Sequence, residues 1–563
     1  MSDKPRACTN CARAKAKCVW PDDDTGVCQR CSMHKSLCSK SSAVSKKRRG
    51  KAIHSKIIEQ KLDDIMSLLT NERAEKASTR NLEPDVTLTD LLPPPAQPLS
   101  TPQYSAETSP GVEISFAEAD RVLGEYMTTM LPQYPFVPVP SCNAQDLYRH
   151  KPLLLRTVLW VCRPGKPDEY ARFETWFRQH IAHETVICMK KDLELVQAIL
   201  VFLAWRDIYF YATAKDTTLL QIAIGLIGDL GLNGARRSAN PSFRSVVEAA
   251  TQLRNDILPQ PNQTGDGHRA ALGVFYIAST LCTILGKRCR LDFTAHFDDC
   301  CRQLEQAGEH PTDVLLVGLV RIQKIATKVN DCFHEAPETA TTPQETIHSI
   351  AVASMRHELD TLMKQLPEHL QANHLIQTHS AAVRIRLFEP LKHTCTPNTY
   401  TPSSLRYQTI WDCLQSCRAL HGVFCQIPLA SYPHLTFASF LHLSLAMIKA
   451  MTMLCLEDPA WDTVAARSIY DLPAMLQQTS KLLNDASNSA TPRTKILLHD
   501  KPMLSEYAEA YQRIERWFSN RIKTVETDPG SSLLDTDIGL GPDQFEGFEF
   551  WNQLSDLTYG FVP

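Results

Sequence analysis

Cys8, Cys11 and Cys18 stand in the spacing Cys-x2-Cys-x6-Cys, and after nine residues Cys28, Cys31 and Cys38 repeat it. Thiolates set this closely are ligands for a tetrahedral metal ion such as zinc. Two tetrahedral zincs need eight ligand positions, so six sulfurs suffice only if two of them bridge. Six thiolates against two Zn²⁺ leave a net charge of −2, which calls for neighbouring cations. Arg6, Arg13, Lys15, Lys17, Arg30 and Lys35 stand in and beside the repeat to supply them.

Other uses of six cysteines fit less well. A disulfide scaffold needs an oxidising compartment, and the opening Met-Ser-Asp-Lys-Pro-Arg has no apolar segment to direct secretion. RING and LIM sites use eight ligands with different gaps, and His34 is the only histidine nearby. The expected cofactor is therefore a pair of Zn²⁺ ions in a cysteine-only cluster.

The stretch from Cys8 to Cys18, Pro21 in the following loop, and Cys28-Gln-Arg-Cys31 through Cys38 resemble the fungal Zn(II)2Cys6 binuclear-cluster DNA-binding domain. The resemblance implies that Cys8 and Cys28 are the bridging ligands and that the first helix enters the major groove of DNA at GC-rich, CGG-like half-sites. The family places Arg after its second cysteine, where this chain has Ala12 and then Arg13. Lys15 matches the family's main base-contacting lysine, with Lys17 and Lys35 as further DNA-facing cations. On an ideal helix Arg13 and Lys17 share a side while Lys15 points elsewhere, which divides phosphate from base contacts.

The elements that must position this head follow in order. The net charge of −3 conceals a gradient, since residues 1–52 carry +9 and the remainder −12. Such a basic module on an acidic body is the electrostatic footprint of nucleic-acid binding. Residues 1–40 form the head, and 41–52 a basic linker whose Lys46, Lys47, Arg48 and Arg49 suit nuclear import. Over 53–76, Ile58, Leu62, Ile65 and Leu69 keep heptad spacing, a short coiled coil that would pair two chains. A proline-rich linker occupies 77–111.

Residues 112–525 read as a large all-α regulatory domain. Leu193–Trp205, Leu219–Leu230 and Ile410–Leu420 are apolar at helical spacing, and proline and glycine clusters at Ala235–Ser242, Leu258–Gly267, Ala336–Pro343 and Thr396–Pro402 mark loops. Ala438–Leu456 is long and apolar, but His442 and Lys449 within it favour a soluble core over a bilayer. Thirteen further cysteines are scattered, as small core residues would be, with a redox or electrophile sensor as the alternative. Met130–Pro138, Leu193–Trp205, Leu219–Leu232 and Leu443–Trp461 also resemble the regulatory region of the same fungal regulators, which extends that resemblance over most of the chain.

No phosphate loop, dinucleotide fingerprint, zinc-protease motif or nucleophile elbow occurs, and His296-Phe-Asp-Asp reads as a solvated helix face, so an enzyme is not expected. From Glu526 there are eight Asp or Glu and no Lys or Arg, interleaved with Phe545, Phe548, Phe550, Trp551 and Tyr559. That is the composition of a disordered activation segment that meets coactivators. The expectation is a nuclear, sequence-specific, homodimeric transcription activator, with control of a secondary-metabolite gene cluster as one role. A repressor or a nutrient or drug regulator of the same type, and a zinc-dependent scaffold that does not read DNA, are the alternatives.

Overall fold

The computed structural model describes residues 8, 11, 17–20, 27–33 and 38 near the amino terminus, and residues 114–527 except 140–142, 164–166, 209–210, 212–215, 235–263, 286, 335–341, 389–402, 457, 459–460, 490–496 and 499–500. Arg13, Lys15, Lys35, the basic run Lys46–Arg49, the heptad residues Ile58, Leu62, Ile65 and Leu69, and the tail from 528 lie outside the described residues. The chain divides into two compact units, Met1–Tyr104 and Ser105–Pro563. The first contains the short helix α1 (Gln29–Met33).

The second unit is built of helices. α2 (Phe116–Glu125), α3 (Ala144–His150), α4 (Pro152–Cys162), α5 (Pro167–Ala182), α6 (Leu193–Ala204) and α7 (Asp216–Asp229) come first. α8 (Gly265–Ile284), α9 (Ala295–Ala307), α10 (Asp313–His334), α11 (Thr342–Gln365), α12 (Glu368–Gln371) and α13 (His374–Leu387) follow. α14 (Ser403–Cys425), α15 (Phe437–Leu454), α16 (Thr463–Ile469), α17 (Leu472–Ser487) and α18 (Met503–Thr527) complete it. Among the described residues the only strands are a two-residue antiparallel pair, Leu497–Leu498 with Lys501–Pro502, joining α17 to α18. The last helix runs through Glu526 and Thr527, two residues into the segment assigned to the tail.

The core sits where α6, α8 and α15 meet their neighbours. α6 packs on α4 and α8, α8 also on α10 and α15, and α13 on α10, α14 and α15. All twelve residues of α6 are buried, which is why its sequence is apolar on every side. α15 has the length and composition to cross a membrane, but 89% of that window is buried within the unit.

Polar side chains register these helices. Glu194, buried in the first turn of α6, accepts from the backbone N–H of Leu153 (2.6 Å) and of Leu154 (3.2 Å) at the start of α4. The carboxylate thus caps a helix forty residues upstream, where the backbone N–H groups lack intrahelical partners. Arg269 and Asp313, each 1% exposed, form a two-pronged ion pair of 2.7 and 2.8 Å that ties the beginning of α8 to that of α10.

Two expectations need correction. The Leu258–Gly267 cluster does not end in a loop: Gly265 to Gly267 make the first turn of α8, capped by Thr264, whose Oγ1 accepts from Gly267 N at 3.2 Å. His296-Phe-Asp-Asp is not a solvated face. Phe297 is buried, half-buried His296 bonds the Leu232 carbonyl at 3.0 Å, and Asp298 pairs with Lys324 at 2.9 Å.

The segment Met130–Val139 lies buried along α8. Tyr134 and Phe136 pack on Tyr276, and the Tyr134 hydroxyl donates to the Gly273 carbonyl at 3.4 Å. A Cβ on Gly273 would fall 2.9 Å from Phe136 Cβ and 3.1 Å from the Tyr134 oxygen. Gly273→Ala is therefore expected to cost about 1–3 kcal/mol by overpacking. A lowered urea midpoint with an unchanged helical spectrum checks it.

Among the described residues five histidines are buried in this unit, and three of them, His379, His421 and His442, are 2% exposed or less. His379 shares a 2.6 Å hydrogen bond with the Tyr276 hydroxyl, its ring meets that of His442 edge-on at 4.5 Å, and His421 lies between Tyr470 and Thr479. Burial pushes His442 down to about 3, His421 to about 4, and His379 well below its ordinary value. The unfolded chain takes up these protons near pH 6.5 and the folded chain does not. Stability present above pH 6.5 is therefore lost as the pH falls towards about 3, by roughly 1.4 kcal/mol per pH unit for each histidine held neutral. Urea titrations at pH 7.5 and 5 should show this slope, and His442→Gln should reduce it by about one proton.

Candidate metal centre

The six cysteines converge. Cys8, Cys11, Cys18 and Cys28 form one tetrad and Cys8, Cys28, Cys31 and Cys38 a second, the sulfurs of each lying within 4.8 Å of one another. Cys8 and Cys28 belong to both. The Sγ–Sγ distances Cys8–Cys28, Cys8–Cys31 and Cys11–Cys28 are all 3.7 Å. Bonds of about 2.3 Å to a tetrahedral zinc set neighbouring sulfurs about 3.8 Å apart, so the spacing fits that ion. It is far longer than the roughly 2.05 Å of a disulfide.

The sequence repeat becomes a repeat of local geometry. The backbone N–H of Cys8 donates to Cys18 Sγ and that of Cys28 to Cys38 Sγ, both at 3.4 Å. The N–H of Cys11 donates to Cys8 Sγ at 3.4 Å, and that of Cys31 is directed at Cys28 Sγ. These donors favour the thiolate. The Cys31 N–H is the foremost cause that draws Cys28 down to about 6, and the Cys11 N–H likewise lowers Cys8. Burial raises Cys11, against the pull of the Arg30 guanidinium. Cys11, Cys18 and Cys38 are raised, so the two sulfurs drawn down, Cys8 and Cys28, are the two shared between the tetrads.

Trp20, Val27 and the half-buried Cys18 and Cys38 pack around the buried Cys8, Cys11, Cys28 and Cys31. That small apolar coat was not singled out from the sequence, because neither residue belongs to a periodic pattern. Lys17, next to Cys18, is exposed.

Residues 101–456, well over half of the chain, match the family described as the WAR1 C-terminal domain. The chain belongs to that family. Two curated fungal relatives align over nearly the whole chain. Transcription factor opdL of Penicillium oxalicum is 24% identical over 504 residues, 87% of this chain and 85% of the relative. Transcription factor himD of Aspergillus japonicus is 24% identical over 538 residues, 92% and 84% of the two chains. A transcription factor of Aspergillus terreus is 21% identical over 388 residues, 64% and 55%. No solved structure matches.

This WAR1 C-terminal domain protein is a fungal-type transcription factor whose cysteine cluster fits the Zn(II)2Cys6 pattern. The matched region includes the Met130–Val139 segment and helices α6 and α15, so the family's domain is the helical core itself.

Replacing Cys28 removes a ligand from both tetrads at once, whereas replacing Cys38 removes one from a single tetrad. Native mass spectrometry of zinc-loaded protein is expected to show Cys38→Ser retaining more metal than Cys28→Ser. Equal losses would mean that the tetrads do not share a sulfur.

Proposed function

We propose that the protein is a nuclear, sequence-specific activator of RNA polymerase II genes that binds DNA as a homodimer through a head holding two Zn²⁺ per chain. The observation that carries the reading is the pair of overlapping tetrads: six sulfurs arranged around two centres with Cys8 and Cys28 common to both. Cys8, Cys11, Cys18, Cys28, Cys31 and Cys38 would hold the ions. Zinc supplies no reaction here; it neutralises thiolates and ties the two halves of the repeat into one rigid body.

The chain's own residues then do the reading. Arg30 on α1 and exposed Lys17 add positive charge around the cluster. Lys15 is assigned to guanine edges, and Arg13, Lys17 and Lys35 to phosphates, at GC-rich, CGG-like half-sites. Ile58, Leu62, Ile65 and Leu69 pair two heads, and Lys46–Arg49 direct import. Residues 526–563 recruit coactivators through Phe548, Phe550 and Trp551. Relatives named as transcription factors along most of this chain support the assignment. Control of a secondary-metabolite gene cluster is the proposed setting.

Binding titrations of full-length protein against randomised half-sites test this reading. Lys15→Ala is expected to lose roughly 1–3 kcal/mol at the cognate site and to blur its preference there. Arg13→Ala should weaken all sequences alike and flatten the salt dependence by about one phosphate contact. Binding that does not weaken with salt would point to the zinc-dependent scaffold instead.

A further inference from the structure

α5 does not end in a regular turn. It passes into a π-helical turn over His183–Ile187, closed by the Cys188 N–H donating to the His183 carbonyl at 2.8 Å. In an α-helix residues five apart face different sides, whereas an i→i+5 turn brings them together. The consequence is a convergence of three metal-ligating groups. His183, Glu184 and Cys188 place a ring nitrogen, a carboxylate oxygen and a sulfur within 4.8 Å of one another. Cys188 is the exposed cysteine among the described residues.

The three donor atoms lie close enough together for one zinc ion to gather them. With Zn–N and Zn–O bonds of about 2.0–2.2 Å and a Zn–S bond of about 2.3 Å, neighbouring nitrogen and oxygen lie about 3.4 Å apart and nitrogen and sulfur about 3.6 Å. His183 Nδ1 lies 3.4 Å from Glu184 Oε1 and 3.5 Å from Cys188 Sγ, and Nε2 lies 3.9 Å from the same sulfur, so the imidazole must turn to aim Nδ1 at an ion held with Cys188. The second carboxylate oxygen of Glu184 faces Lys190 Nζ at 3.7 Å, which leaves Oε1 turned to the imidazole. The donor set also balances. Zn²⁺ displaces the thiol proton to solvent, and one thiolate, one carboxylate and one neutral imidazole then cancel its charge, without the counter-cations that the six-thiolate head requires.

We propose that His183, Glu184 and Cys188 form a zinc site in the helical unit, with water in the fourth position. This site does not depend on the DNA-binding reading. Zinc here would clasp the π turn to the residue that follows it and fix the segment leading into α6, making the regulatory domain responsive to free zinc and to thiol-modifying agents that compete for Cys188.

The test follows Cys188 in full-length wild-type protein with zinc as the probe. Alkylation by iodoacetamide, read on the Cys188 peptide by mass spectrometry, is expected to slow about tenfold when free zinc exceeds the dissociation constant by about ten. A chelator should reverse the effect. His183→Ala should abolish the protection, and Glu184→Gln should shift it to higher zinc. Because the readout is one peptide, the metal content of the head does not enter it. Zinc-independent alkylation, or protection only at millimolar zinc in wild type and His183→Ala alike, would overturn the proposal.

Discussion

Two sulfurs, those of Cys8 and Cys28, belong to both cysteine tetrads at once, and the head is arranged around them. A segment of forty residues has too little apolar surface to bury for a stable core. Among its described residues the buried interior consists of four cysteines, with Trp20 and Val27 laid against them. The backbone donors reaching the shared sulfurs favour their ionised forms before any metal arrives. For a metal held by these cysteines, affinity and folding would be one equilibrium, because the sulfurs converge only in the folded chain.

The large unit rests on a different principle. Its helices are apolar enough to collapse in many arrangements, and buried charges select among them. Arg269 and Asp313 are nearly inaccessible and satisfy one another, so any packing that separates them leaves an unpaired charge inside. Gly273 contributes to the same selectivity through space: the absence of a side chain lets Tyr134 and Phe136 lie directly against α8. Both features fall within the segment matching the WAR1 C-terminal domain.

The cysteine cluster was legible because the spacing of metal-ligating residues is local, and the repeat marked the six cysteines that converge. Its cross-pairings, Cys8 with Cys31 and Cys11 with Cys28, were less so, since ligand partners across a repeat depend on the turn of the chain. α6 was legible from an unbroken apolar run. Gly265–Gly267 misled because glycine disfavours helix, while the Thr264 cap and the Arg269 clamp that hold the turn in place act from outside it. His296 misled for a related reason, as its carbonyl partner belongs to the turn after α7. The convergence of His183 with Cys188 had no signal, because a five-residue separation matches neither helix nor strand periodicity.

The Glu194 carboxylate carries a consequence for how the chain comes to fold. The start of α4 is capped from α6, so the information that begins one helix is stored in another, synthesised later. Until residue 194 has emerged and docked, α4 has uncapped amide donors at its first turn, and the face it turns to α6 has no partner. The two helices must therefore order together, and a polypeptide cut between them would separate a helix from its own beginning.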